Sequence, residues 1–268
     1  MPLRRVLGRD AVLSALVIGS VVPDFWYFLP FALKRADTHS FAGFFWFCLP
    51  VGLVLYLAYH SFAKRPLLEL LPQPLALRLA GSGLAQPGLP RASAAAVIGS
   101  LALGALTHLV WDAATHDGRF VDRVLPGLDA SVFAIGAYQA YGYSLLQHAS
   151  TLAGLALLAW WARRWFREAP RAPLPLRRFS PGAATAVLVA VAVATAWIAA
   201  SALAVMWRQH TGLIVSRELA KIAFGHAGGA ALLALLAYAL SWHALGRVKA
   251  ERGPGAARSS PPKPSSSP

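Results

Sequence analysis

Apolar residues in this chain fall into six long blocks, separated by shorter polar or basic segments. The blocks occupy approximately residues 11–33, 41–63, 93–113, 144–162, 183–206 and 219–243. Each is long enough to cross about 30 Å of hydrocarbon at about 1.5 Å per helical residue. Long apolar blocks without a two-residue or 3.6-residue alternation are typical of helices that have lipid as their solvent. The pattern predicts an all-α, polytopic integral membrane helix bundle with about six transmembrane helices.

The segments outside the blocks are short or rich in helix-breaking residues. Residues 72–91 are rich in Pro, Gly and Leu and predict a loop, while 117–143 form the longest polar-to-mixed connection. We therefore predict a transmembrane domain over residues 1–249. Residues 250–268 are rich in Pro and Ser and predict a disordered cytoplasmic tail. The basic N-terminus followed by an apolar run resembles a signal sequence, but no small-x-small cleavage site follows. The first block is therefore expected to be a retained span.

Basic residues are distributed unequally between the two sides of the six-span bundle. Eighteen of the 25 lysine and arginine residues fall in the N-terminal segment, the second and fourth connections and the tail. Short cytoplasmic loops of membrane proteins carry an excess of Lys and Arg. The distribution predicts that both termini are cytoplasmic and that the protein is a multi-pass protein of the inner, or plasma, membrane.

Composition supports the membrane assignment and narrows the partners. Hydrophobic residues make up 57% of the chain and charged residues only 13%, against roughly 25% charged in a soluble domain. The net charge is +14, and the basic residues cluster at the ends of the blocks and in the tail. This placement predicts contact with anionic membrane lipids and not with nucleic acid. Cys48 is the only cysteine, which excludes an intrachain disulfide and a cysteine-based zinc site.

Several ionisable residues interrupt the third block at its non-cytoplasmic end. His108, Asp112 and His116 are spaced i, i+4 and i+8, which places them along one face of a helix. Asp24 and His39 come from neighbouring segments at the same predicted end of the bundle and could complete a ligand set. Nitrogen and oxygen donors of this kind suit a divalent metal such as zinc or manganese. Ionisable groups at membrane depth are costly and therefore indicate a functional or structural role.

The spacing alone leaves a second interpretation open. The same residues could form a hydrogen-bonded polar cluster that packs helices together without a metal. They could also line a path for a proton or a small solute. No His-Glu-x-x-His motif, Gly-x-Ser-x-Gly elbow or phosphate-binding glycine loop occurs in the chain.

The order of several short motifs resembles a known family. The motifs are the string from Ser14 to Phe25 with Pro23-Asp24 at its end, Thr38-His39-Ser40, Tyr59-His60, Lys64-Arg65-Pro66, the string from His108 to Gly118, and Gln147-His148. Together they resemble the bacterial membrane-protein family catalogued as domain of unknown function 4184, over roughly residues 11–240. Family members usually open with a Pro-Phe-Thr-x-Ser-His-Pro-like segment, whereas this chain has no histidine before His39.

The Pro-Asp, Thr-His-Ser and His-x3-Asp elements are also similar to those of inner-membrane metal-dependent hydrolases related to YdjM. That resemblance implies a divalent-metal hydrolase acting on lipid or phosphoester substrates. It implies Asp24, His39, His108 and Asp112 as metal ligands, and His116 or His148 as a further ligand or general acid/base. The alternative function is a non-enzymatic membrane protein in which the His/Asp cluster packs helices or lines a proton or solute path.

Overall fold

The computed structural model describes residues 12–29, 33–86, 88–116, 119–135, 138–173, 180–209 and 217–251. The described chain is mostly helical, with one short β-hairpin. Four helices are long and apolar enough to cross a membrane, over Phe41–Leu70, Ala94–Thr115, Gly182–Ser201 and Gly225–Leu245. An integral membrane protein follows from their length and hydropathy.

The first helix is interrupted by proline. Helix α1 covers Leu13–Val21 and continues as a 3-10 helix over Val22–Phe28. Pro23 has no backbone N–H and so cannot donate a hydrogen bond within an α-helix. The chain therefore tightens into 3-10 geometry at this point, and the apolar segment Leu13–Phe28 is shorter than the four membrane-length helices.

The second apolar helix follows a single helical turn. The turn, α2, covers Arg35–Thr38, and the long helix α3 covers Phe41–Leu70. Helix α3 contains two π-helical segments, Phe44–Cys48 and Tyr59–Ala63. Ser40 caps its first turn by accepting a hydrogen bond from the Gly43 backbone N–H at 2.9 Å.

The middle of the chain carries one apolar helix and several short elements. Helix α4 covers Gln73–Gly81, within the segment predicted as a loop, and α5 covers Ala94–Thr115. Helix α6 covers Arg119–Val124. Strands β1 (Ser131–Ile135) and β2 (Tyr138–Tyr141) pair antiparallel, with Ser131 opposite Tyr141 and a register shift between Ser131 and Phe133. This hairpin lies in the long connection and is an exception to the all-α prediction.

The C-terminal part consists of three long helices. Helix α7 covers Gly142–Glu168, α8 covers Pro181–Gln209, and α9 covers Arg217–Glu251. Helices α8 and α9 pack extensively against each other, and α9 also contacts the 3-10 helix Val22–Phe28. The predicted tail begins inside α9, and its residues 252–268 lie outside the described part of the chain.

Glycines allow α1 and α5 to cross at backbone contact. A Cβ atom added at Gly19 would overlap the Leu101 carbonyl group, and one added at Gly104 would overlap the Leu16 carbonyl oxygen. Small residues at a crossing are the common way in which membrane helices approach closely. This crossing lies one helical turn before His108 on α5, so it positions α1 and α5 at the candidate site.

Two buried clusters pack around this crossing. One contains Val12, Ala15, Tyr56, Val97 and Leu101. The other contains Val22, Phe44, Phe47, Cys48 and Ala105. Both join α1 or its 3-10 extension to α3 and α5, so these three segments form the packed core that carries the site.

Two of the six predicted spans are not among the four membrane-length apolar helices. The first, 11–33, contains the proline interruption, and residues 30–32 lie outside the described part of the chain. The fourth, 144–162, lies within α7, which is long but carries polar residues at its start and arginines near its end. The count of six spans and the cytoplasmic placement of both termini stay predictions.

Candidate metal centre

Asp24 reaches the site because Pro23 breaks the first helix. Asp24 lies in the first turn of the 3-10 helix, directly after the fully buried Pro23. Its carboxylate is 44% exposed. The Asp24 carboxylate is therefore accessible from outside the protein.

His39 is held by its neighbours in the turn between α2 and α3. The Thr38 hydroxyl donates to the Arg35 carbonyl oxygen at 3.3 Å, and His39 Nδ1 donates to Thr38 Oγ1 at 2.9 Å. The His39 backbone N–H also donates to the Arg35 carbonyl oxygen, at 2.8 Å. With its proton on Nδ1, the neutral ring presents an unprotonated Nε2. Within this string, Thr38 thus orients the His39 imidazole, and Ser40 caps the helix that follows.

His108 is held by a backbone carbonyl group near the end of α1. His108 Nδ1 lies 2.8 Å from the Ser20 carbonyl oxygen and donates to it. The neutral His108 ring therefore also presents an unprotonated Nε2. A backbone acceptor on the distal ring nitrogen is typical of metal-binding histidines.

Asp24, His39 and His108 converge so that one ligand atom from each lies within 4.8 Å of the other two. His39 Nε2 is 3.4 Å from Asp24 Oδ1, and His108 Nε2 is 3.5 Å from Asp24 Oδ2. In a tetrahedral site with metal–ligand distances of about 2.1 Å, two ligand atoms are separated by about 3.4 Å. Each imidazole-to-carboxylate separation is close to this value, with a different Asp24 oxygen facing each ring.

The same three residues lack a hydrogen-bond donor among them. Both Nε2 atoms are buried and have no hydrogen-bond partner within the described part of the chain. Asp24, when ionised, can only accept. Three acceptors that face one another are unfavourable unless a cation lies between them or one imidazole is protonated. The donor chemistry therefore fits a divalent metal such as zinc or manganese.

Asp112 lies beside this group but has other partners. Its Oδ2 is in contact with the Arg35 guanidinium and is 3.5 Å from His39 Nε2. Its Oδ1 is 2.9 Å from His116 Nδ1. Asp112 is not part of the three-residue group whose ligand atoms all lie within 4.8 Å of one another. The structure thus places Asp112 in contact with both His39 and Arg35. The sequence pattern did not single out Arg35.

His116 lies at the end of α5 and not along its face. The helix ends at Thr115, and His116 is extended, with φ −130° and ψ 156°. Its ring turns back to Asp112, and the hydrogen bond from Nδ1 to that carboxylate raises the pKa of His116. On the other side, the Gln147 amide nitrogen is 3.3 Å from His116 Nε2. His116 therefore links α7 to the carboxylate of Asp112.

His148 is separate from these residues. It is exposed on α7, next to Gln147, and makes no hydrogen bond or ion pair to any other residue in the described ranges. His60 lies elsewhere, as its Nε2 is 2.8 Å from Ser14 Oγ and its ring is buried beside Tyr56. The structure thus brings together five of the six predicted site residues and leaves His148 outside.

Two features of the site were missed by the sequence pattern. Arg35 precedes His39 by four residues, a spacing that puts both on one face if the intervening turn is helical. The contact of the Ser20 carbonyl group with His108 joins residues 88 positions apart in the chain. Neither feature follows from the local sequence pattern alone.

Comparison with known proteins identifies the family and nothing closer. No curated protein and no solved structure is significantly similar to the chain. The family model described as domain of unknown function (DUF4184) matches residues 1–240. That match covers the first three membrane-length apolar helices and most of the fourth, together with Asp24, His39, His108 and Asp112. The chain therefore belongs to the DUF4184 family.

Proposed function

We propose that this membrane protein is a metal-dependent hydrolase acting on lipid or phosphoester substrates, with its site at the outer membrane face. The observation that carries the proposal is the pair of buried imidazole nitrogens, on His39 and His108, that face the Asp24 carboxylate without a donor between them. Asp24, His39 and His108 would hold the ion. A divalent metal there supplies a Lewis acid and lowers the pKa of a coordinated water.

The remaining polar residues have roles that follow from their contacts. Thr38 and the Ser20 carbonyl group hold the two imidazole rings in the tautomer that exposes Nε2. Asp112 and His116 form a hydrogen-bonded pair at the edge of the site. His116 is the candidate for holding a proton and passing it to a leaving oxygen, since its ring is partly exposed beside the group.

Access to the site is compatible with a substrate that comes from the membrane surface. Asp24 is 44% exposed, whereas His39 is only 7% exposed. A substrate would therefore approach from the carboxylate side while the imidazoles stay shielded. The distribution of basic residues among the loops predicts that this end of the bundle faces away from the cytoplasm.

The test is the metal content of protein purified in detergent without a metal-chelating resin, measured by inductively coupled plasma mass spectrometry. Wild-type protein should carry about one zinc or manganese ion per chain. Asp24→Asn and His108→Ala should each lose it. Asp37→Asn, an acid-to-amide change in the same loop region, and His243→Gln, on α9, serve as matched controls that should retain it. Hydrolysis of phosphoester substrates is then measured on the loaded protein.

Two results would contradict the proposal. Wild-type protein that binds no zinc or manganese, even after loading, would leave the cluster as a helix-packing or proton-path feature. Equal metal content in Asp24→Asn and wild type would show that the ion lies elsewhere.

A further inference from the structure

Arg35 has no role in holding a metal, yet its guanidinium lies at the edge of the candidate centre. It contacts Asp112 Oδ2, and the same oxygen is 3.5 Å from His39 Nε2. Arg35 and His39 also share one short turn, in which the Arg35 carbonyl oxygen accepts from the Thr38 hydroxyl and the His39 N–H. Arg35 and His39 therefore share one hydrogen-bonded turn, and the contact with Asp112 holds the guanidinium beside the candidate centre.

The guanidinium is only partly used by this contact. A single nitrogen, Nη2, contacts Asp112, while the guanidinium group carries five N–H donors. Arg35 is 41% exposed, whereas Asp112 is 13% exposed. Within the described residues the guanidinium makes this one contact, and the Asp24 carboxylate is 44% exposed. Arg35 therefore has further donors for a substrate that approaches the exposed carboxylate.

The charges of the site indicate what those donors would bind. A divalent ion and Arg35 supply three positive charges, and Asp24 and Asp112 supply two negative charges, so the site is positive even before a proton on His116 is counted. The exposed neighbours Lys34 and Asp37 add one charge of each sign. An uncompensated charge next to hydrocarbon is costly, so the favoured substrate is an anion.

We propose that Arg35 is the anion-binding residue of the site and that the substrate group is a singly charged phosphodiester. This inference rests on the proposed metal-dependent hydrolase. A phosphodiester has two non-bridging oxygens, so one can face the metal while the other accepts from the guanidinium fork. A neutral ester or amide would leave the positive charge and the Arg35 donors without a partner. A phosphomonoester has a third charged oxygen, which would face neither the metal nor Arg35.

The experiment uses detergent-purified full-length protein loaded with Co²⁺, which accepts the same nitrogen and oxygen donors as zinc. Visible absorption reports Co²⁺ binding, and paramagnetic broadening of the ³¹P signal reports a phosphorus atom near the ion. The probes are dimethyl phosphate, inorganic phosphate and dihexanoyl phosphatidylglycerol, with acetate as a competitor. Wild type, Arg35→Gln, Arg35→Lys and the neighbouring control Lys34→Gln are compared.

We expect dimethyl phosphate to bind to the wild-type protein and to Lys34→Gln with equal affinity. Arg35→Gln should weaken its binding by about tenfold or more without weakening Co²⁺ binding, because the charge-assisted hydrogen bond is lost while the ligands stay. Arg35→Lys should be intermediate, since lysine keeps the charge but not the fork. Retained Co²⁺ binding in these variants also shows that they are folded.

The outcomes separate the two proposals. Wild-type protein without Co²⁺ absorption contradicts the metal site itself. Bound Co²⁺ with equal dimethyl phosphate affinity in wild type and Arg35→Gln overturns the role of Arg35 alone. Tighter binding of inorganic phosphate, or equal competition by acetate, overturns the phosphodiester class. Stronger binding of the phosphatidylglycerol probe than of dimethyl phosphate identifies a lipid headgroup as the source of the diester, and the reverse identifies a soluble one.

Discussion

Replacing Asp24 with asparagine distinguishes a metal centre from a hydrogen-bonded cluster by the sign of a stability change. In the metal-free protein with both histidines neutral, the carboxylate faces two imidazole nitrogens that carry no proton, His39 Nε2 at 3.4 Å and His108 Nε2 at 3.5 Å. An asparagine amide at the same position can donate to one of them. Satisfying a buried acceptor is worth about 1 kcal/mol or more. The metal-free Asp24→Asn variant should therefore be more stable than metal-free wild type.

The metal should reverse this order. At an ion concentration 100 times the dissociation constant, binding to the native state stabilises it by about 2.7 kcal/mol. If the loss of one anionic ligand weakens binding by about 100-fold, the same concentration stabilises the variant by only about 0.4 kcal/mol. Wild type should therefore gain about 2 kcal/mol more than Asp24→Asn from the ion.

Cys48 provides the assay. It is the only cysteine in the chain and is 1% exposed, in the cluster around Phe44 and Phe47. A thiol-reactive fluorophore should therefore label it on unfolding and not before. Melting curves in detergent are recorded with chelator and with zinc or manganese, for wild type, Asp24→Asn and the control Asp37→Asn. If Asp24→Asn is less stable than wild type in chelator and neither responds to metal, the carboxylate pairs with protonated histidines and the metal-site reasoning is refuted.

Two further predictions concern the fold and its orientation. Gly104→Ala should destabilise the protein by about 1–3 kcal/mol because its methyl group meets the backbone of α1, whereas Gly99→Ala, with open space around it, should be neutral or slightly stabilising. Thermal unfolding of the pair measures this, and equal stability would contradict the backbone contact. In a Cys48→Ala background, Gly127→Cys should react with a membrane-impermeant maleimide added outside intact cells, whereas Leu84→Cys should react only after the membrane is opened. The opposite labelling pattern would invert the topology.

The apolar pattern predicted the membrane helices because burial in lipid leaves a strong signal in a single sequence. It did not locate the proline interruption of the first block as the end of an α-helix, although Pro23 was visible. The helix α4 arose in a segment rich in Pro and Gly, where composition favoured a loop. The hairpin of β1 and β2 has a signal in its β-branched and aromatic residues, but these were too few to outweigh a long polar connection.

The structure arranges the candidate site residues differently from what their spacing predicted. The spacing of His108, Asp112 and His116 predicted one helix face, whereas the helix ends at Thr115 and His116 reaches Asp112 from an extended residue. Helical spacing is a local property, and where a helix ends depends on packing. That Asp112 has Arg35 as a partner depends on a contact between residues 77 positions apart in the chain, which no local pattern encodes.

The glycine crossing of α1 and α5 has a consequence for which ion the protein can hold. Because the two backbones touch at Gly19 and Gly104, no side chain lies between them whose rotamer could change to widen the gap. The crossing of α1 and α5 therefore sets the distance between Asp24 and His108. In the proposed metal site, calcium, which needs oxygen ligands at about 2.3–2.6 Å, would have to push two helices apart, whereas zinc would fit at about 2.1 Å. Discrimination by ionic radius would then depend on two glycines that are not ligands.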